Sequence, residues 1–354
     1  MGNELEFKSI LPITCSSKWF HVASEVHFFS TPIALKSKTM MSSLTLAEKA
    51  LTVAFSVVVV INLFGNGLVC LVVFRFRGMR APLNYLLVNL AVSDMMVALF
   101  IIPDYIVNWA FHHPSGVTGD YICMFITGGN FVWVGMAAST FSLVVVAFER
   151  YSAVVHPLNN SWRLTNPRLV AVIMASWLYA IICNLPLFFE VRHEDGVAHC
   201  VEHWSNSTLT EQHKLGKVYT VACFFMFGAI PMGIIAFLYI RLLCKLWKSC
   251  IRATLISEQT RIRAIRKVTK MAAVVSIVYA VCRLPNLVLY MLSEYKPDLY
   301  DYGSVPYVTS VVLVGVNSAM NPFIYTLHST NFRKHIKVAL CCRGYRPADY
   351  LRIP

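Results

Sequence analysis

The chain has 354 residues, of which 57% are hydrophobic and only 14% charged, with a mean hydropathy of +0.59. A soluble globular domain carries about 25% charged residues, so this composition argues against a water-soluble enzyme. Lys and Arg outnumber Asp and Glu by 31 to 18, which raises the question of a nucleic-acid partner until the charges are located. Fifteen Pro, 16 Gly and a high apolar content exclude disordered and collagen-like chains, and 11 thinly spread Cys exclude a disulfide-stapled scaffold.

A bilayer core of about 30 Å needs about 20 apolar residues per helix. Seven stretches nearly free of charge meet that length: Ala50–Phe74, Leu83–Trp109 (broken only by Asp94 and Asp104), Tyr121–Phe148, Leu169–Phe189, Val218–Ile240, Met271–Leu292 (with Arg283) and Tyr302–Leu327. Residues 1–45 show no basic stretch followed by a short apolar core, so span one is expected to be the insertion signal. After span seven, Phe332, Ile336 and Leu340 recur at i, i+4 and i+8 with Arg333, Lys334 and Lys337 between them, which predicts a short amphipathic eighth helix at the membrane surface. The fold class is therefore all-α, a seven-transmembrane helix bundle, divided into an outer N-terminal segment (1–45), the bundle (46–328) and an amphipathic helix with a short tail (329–354). No internal repeat is evident, which speaks against a transporter built from inverted halves.

Seven spans put the termini on opposite sides, and Lys and Arg beside membrane spans mark the cytoplasmic side. With the N-terminus outside, the inner segments hold 21 basic residues against three acids, and the outer segments nine against 14. The basic charge is thus a topology signal and a surface for anionic lipid, and nucleic acid is not an expected partner.

Polar residues inside membrane spans are costly and mark function. Here they form an ordered set: Gly65-Asn66 in span one, Leu90-Ala91-Val92-Ser93-Asp94 in span two, Glu149-Arg150-Tyr151 closing span three, and Trp177 in span four. Pro231 and Tyr239 follow in span five, Cys282-Arg283-Leu284-Pro285 in span six and Asn321-Pro322-Phe323-Ile324-Tyr325 in span seven. Over residues 45 to 342 this set resembles a rhodopsin-like (class A) G-protein-coupled receptor of the peptide-receptor kind. The resemblance implies a plasma-membrane receptor that activates a heterotrimeric G protein and catalyses no covalent chemistry. Coupling and activation would fall to Glu149, Arg150, Tyr151, Tyr239, Arg283, Pro285, Asn321, Pro322 and Tyr325, with the prolines kinking their helices. Asn66, Asp94, Ser139, Asn317 and Ser318 would form an inner ion and water pocket, with no resident cofactor beyond a possible Na⁺ near Asp94.

The resemblance also pairs Cys123 with Cys200 as a disulfide. Asn206-Ser207-Thr208 is a glycosylation sequon, and Cys341 and Cys342 at the end of the eighth helix are palmitoylation candidates.

Two departures alter the expected chemistry. Arg283 stands where the family usually keeps Trp, and Tyr279 and Thr140 replace bulky apolar residues beneath it. A charge at mid-membrane needs a partner, so Arg283 either pairs with Asp94, displacing Na⁺, or reaches up to meet an acidic group of the ligand. Cys123 to Arg150 is also two positions longer than typical, leaving either Asn130 or Val132 where amine receptors keep Asp; neither is an acid. Gly315 stands where opsins need Lys.

The outer cavity is expected to use Asp104, Phe131, Val132, Trp133, Glu190, Asn286, Tyr290, Glu294 and Tyr307, an aromatic bowl with acids at its rim. That suits a small basic or amidated peptide. The alternatives are a lipid or other small-molecule ligand, or a scavenger receptor that does not signal.

Overall fold

The structure, a computed structural model, describes residues 45–107, 113–156, 164–194, 200–204, 209–252, 256–296 and 304–340. Among the described residues, seven helices are long and apolar enough to cross a membrane: Leu46–Arg75, Pro82–Ile106, Val117–Ala153, Asn166–Glu190, Leu215–Lys245, Ala273–Tyr295 and Val305–Leu327. Each contains most of one stretch read from the sequence, and the ends differ for local reasons. Span one begins at Leu46 because Thr45 and Glu48 cap each other: the Thr45 hydroxyl accepts from the Glu48 amide, and the Glu48 carboxylate accepts from the Thr45 amide at 2.7 Å. Span six belongs to a helix that starts at Ile256, because basic residues end the apolar stretch without ending the helix.

The spans close into a ring. Span one packs against two and seven, two against three, three against four and five, and six against five and seven. Span three runs through the middle, with 67% of its apolar window buried against 22% for span four. The outer surface carries apolar side chains such as Phe64, Met174 and Val281, each more than 60% exposed. Such a surface fits lipid, where helices satisfy their own backbone groups.

Small residues let the helices approach. A Cβ on Gly135 of span three would sit 2.8 Å from the Ser93 carbonyl of span two, and one on Gly65 would sit 3.0 Å from Pro322 Cγ. The Asn89 amide then ties three spans together, donating to Ser142 Oγ (2.9 Å) and Ser176 Oγ (3.2 Å) while its oxygen accepts from Trp177 Nε1 (3.0 Å). Small polar residues of this kind hold membrane helices together in place of a hydrophobic force.

The two extra residues of span three are absorbed at its start. The helix Val117–Ile122 widens into a π-helical turn at Cys123–Thr127, breaks at Gly128, and resumes at Asn130. Gly129 holds φ +71°, a conformation that favours glycine, and its missing Cβ leaves room for the Asp104 carboxylate. A Cys123–Cys200 disulfide fastens this turn to a short antiparallel pair, β1 (Val191–Arg192) and β2 (Val201–Glu202), in which Val191 faces Glu202.

The amphipathic helix spans Thr330–Leu340. Phe332 is buried against Tyr325, with ring centroids 5.9 Å apart. His335 joins this face against Phe76, whereas Leu340, expected on it, is exposed because it lies at the helix end.

Candidate functional site

At the disulfide end of the bundle a cavity opens between spans three to six. Trp133 lines it from span three, Asn184 and Leu187 from four, Tyr219, Cys223 and Phe227 from five, and Arg283, Asn286, Leu287 and Tyr290 from six. Trp133 and Tyr290 stack with centroids 6.3 Å apart, forming an aromatic wall.

Of the nine ligand residues expected from the sequence, Trp133, Asn286 and Tyr290 line this cavity. Tyr307 is buried and hydrogen-bonds with Asn286. Asp104 lies beside Gly129, and Glu294 lies beside Gly216 and Trp204 near the upper rim. Two positions serve packing, and a third joins the outer hairpin through its backbone. Val132 is 1% exposed within the apolar core, Phe131 packs between Phe100 and Phe188, and Glu190 offers its backbone carbonyl to the His203 amide at 2.7 Å. For Val132 this is a correction: it faces the apolar core, while Trp133, its neighbour, lines the cavity.

Glu202, an acid bonded to the cavity wall, was missed from sequence. It accepts from Tyr290 Oη at 3.2 Å and from Trp204 Nε1 at 3.1 Å. The signal was its place two residues after Cys200, since the disulfide that pins Cys200 to span three carries β2 over the cavity. Tyr219, Cys223 and Phe227 were missed because an apolar wall in span five reads like any membrane helix.

Arg283 and Asp94 do not pair, which overturns the first of the two readings of that charge. The Asp94 carboxylate accepts from Ser139 Oγ at 3.2 Å and Asn321 Nδ2 at 2.6 Å, with Ser318 as a further donor. Arg283 turns the other way, toward the cavity. Its Nη1 lies 2.9 Å from Met136 Sδ, its guanidinium lies 5.7 Å from the Trp133 ring centre, and Tyr279 bonds to it. Tyr279 in turn lies 3.0 Å from Thr140 Oγ1 and bonds the Phe227 carbonyl. The three residues that depart from the family pattern, Arg283, Tyr279 and Thr140, therefore form one network: the polar replacements support the buried cation.

Below it, Asn66 donates to the Ser318 carbonyl at 3.1 Å and to Asn62 Oδ1 at 3.1 Å, its own Oδ1 is buried without a partner, and Asn317 is buried beside Ser318. The expected inner polar layer is thus brought together around Asp94.

At the opposite end, Arg150 and Glu149 are half-buried, and Arg150 Nε has no hydrogen-bond partner. Tyr239 is buried and bonds with Ser276 of span six, and the Tyr325 hydroxyl is buried without a partner. Tyr151 packs edge-on against His156. Pro285 and Pro322 lie inside their helices, and a π-helical turn at Phe225–Ala229 precedes Pro231. Proline and π-helical turns interrupt the backbone hydrogen-bond ladder, so these are the weak points of spans five, six and seven. Asn206, Cys341 and Cys342 lie outside the described residues.

A seven-helix membrane bundle with a disulfide-covered cavity at one end and an Arg–Tyr cluster at the other is the architecture of a membrane receptor. Residues 65–325 match the family described as 7 transmembrane receptor (rhodopsin family), and the chain belongs to that family. It is 28% identical to Neuropeptide receptor 22 of Caenorhabditis elegans over 88% of this chain and 75% of that protein. It is 30% identical to the Allatostatin-A receptor of Bombyx mori over 83% of this chain and 80% of that one. To the Pyroglutamylated RF-amide peptide receptor of Mus musculus it is 26% identical, over 83% and 70%. The protein is therefore a multi-pass membrane receptor.

Proposed function

We propose that the receptor binds a peptide in the cavity at its disulfide end and, in response, activates a heterotrimeric G protein at its Arg150 end. The cavity carries this reading, with its Trp133–Tyr290 wall and Glu202 hung over it by the disulfide. Two of the relatives named above carry "peptide" in their names, which supports it. The acids Glu202, Asp104 and Glu294 favour a ligand with cationic groups at the rim. The excess of Lys and Arg on the Arg150 side supports placing that end in the cytoplasm of the plasma membrane and the N-terminus outside.

Ligand binding would shift the population of two arrangements of spans five to seven. In the active one, Arg150, Tyr239 and Tyr325, whose buried polar atoms include two without partners, would find new bonds at the G-protein face. The oxygen-rich layer of Asp94, Ser139, Ser318 and Asn321 suits a hard cation, and with Arg283 turned away Na⁺ would meet no competing charge there. Bound, it would compensate the Asp94 carboxylate.

The test is G-protein activation in transfected cells by a library of short peptides with basic residues, made with both free-acid and amidated ends. Activation by a peptide subset, lost in Arg150→Ala, is the expected result. Activation only by lipids, or uptake of peptide without activation, would replace this reading with one of its two rivals.

A further inference from the structure

The cavity floor combines a buried cation with an unused acceptor. Arg283 is 3% exposed, and its nearest partners are a thioether, an aromatic face and a phenol. No carboxylate among the described residues lies within ion-pair distance of it, and its Nε has no hydrogen-bond partner. A cation taken out of water is costly unless an anion compensates it, and sulfur and aromatic contacts offset only part of that. One turn further along the same helix, Asn286 is fully buried. Its Nδ2 donates to Ser310 Oγ at 3.1 Å, whose own proton goes to the Tyr307 carbonyl at 2.6 Å. The same amide nitrogen also donates to the Tyr307 phenol oxygen, so both of its bonds fix which way the amide faces and leave Asn286 Oδ1 as an acceptor without a donor.

We propose that Arg283 and Asn286 form a subsite for the terminal α-carboxylate of the ligand. The reading rests on the cavity being the ligand site. A carboxylate presents two oxygens to the edge of a guanidinium, and the Nε edge of Arg283 is the unused one; the resulting pair of charge-assisted bonds supplies the missing countercharge. The amide N–H that precedes an α-carboxylate is the donor Asn286 Oδ1 lacks. A carboxamide end would reach the same two residues but leave the cation uncompensated, so charge decides between the acid and the amidated end expected from sequence. The ligand is then dipolar, with its acid end down at Arg283 and cationic groups up toward Glu202, Asp104 and Glu294. Trp133, Phe227 and Tyr290 line the same cavity and would contact the last side chain of the ligand.

The subsite is tested on the purified full-length receptor in nanodiscs with N-acetyl-phenylalanine and N-acetyl-phenylalaninamide as probes, read by ligand-observed NMR titration. The acid is expected to bind about tenfold or more tighter than the amide. Arg283→Gln should abolish that preference, and Arg283→Lys, which keeps the charge and loses the fork, should retain part of it. Thermal melting of each variant checks that it folds; should Arg283→Gln not fold, Arg283→Lys and Asn286→Leu in the wild-type background carry the comparison, with weaker acid binding expected in both. An amide that binds as tightly as the acid, no acid binding up to about 10 mM, or a preference unchanged in the folded variants would overturn the subsite. Acid preference without any peptide-evoked G-protein activation would instead sink the signalling reading and leave the subsite standing.

Discussion

Replacing Asp94 by Ala and Arg283 by Met, singly and together, separates two networks that lie close in sequence pattern and apart in the fold. Asp94 accepts from Ser139, Asn321 and Ser318, whereas Arg283 engages Met136, Trp133 and Tyr279, and no bond is shared. Buried polar contacts within a membrane contribute about 0.6 kcal/mol each, so losing three at Asp94 should cost about 2 kcal/mol. Arg283→Met exchanges an uncompensated buried cation for an apolar chain of similar length, which should be neutral or stabilise the receptor by about 1–4 kcal/mol. With no common partner the two effects should add to within about 0.5 kcal/mol. Thermal melting of the four purified receptors in one detergent measures this. A double variant that melts well above the additive expectation, by the equivalent of more than about 1.5 kcal/mol of coupling, would mean that the two residues pair directly and would refute the assignment.

Asn89→Ala removes three bonds that join spans two, three and four and should destabilise the receptor by about 2 kcal/mol, read as a lower melting temperature. Changing Cys123 and Cys200 together to Ser opens a link between residues 77 apart in sequence. The chain-entropy model puts that loss at about 4.5 kcal/mol, so folded receptor at the cell surface should fall sharply by conformational antibody staining. His113 lies 2.7 Å from Thr127 Oγ1 and stacks on His193, and burial, then the second imidazole, holds its pKa below the usual value. The unfolded chain takes up this proton near pH 6.5 and the folded one only at lower pH, so stability should fall as pH drops through about 6.5. His113→Asn should flatten the melting temperature between pH 7 and 5; an unchanged slope would remove His113 as its source.

Much of the bundle was legible in the sequence because a bilayer imposes a length and forbids charge, so seven apolar stretches stand out without tertiary information. Helix ends were less legible. Thr45 and Glu48 extend span one through a cap, and the helix of span six runs on through basic residues, since charge marks the membrane boundary and not the end of hydrogen bonding. The inner polar layer followed from the family resemblance, and its residue types agree with it, because an Asp or Asn at membrane depth needs polar neighbours. The cavity was harder. Which of Val132 and Trp133 lines it is decided by the packing, and Glu202 owes its position to a disulfide that acts across 77 residues. Arg283 shows the limit most clearly: sequence offered Asp94 or an acidic group of the ligand as its partner, and the choice fell to the Trp133 face and the Met136 and Tyr279 side chains, which only the packing brings together.

Reconstitution shows whether ligand at the disulfide end drives nucleotide exchange at the Arg150 end. Purified receptor in vesicles, sorted for one orientation and given a heterotrimeric G protein on the Arg150 side, is exposed to an activating peptide on the disulfide side while GTP uptake by the G protein is followed. Accelerated exchange is expected with peptide on that side alone, lost in Arg150→Ala with peptide binding retained. Peptide binding with no acceleration of exchange in the wild-type receptor would contradict that coupling.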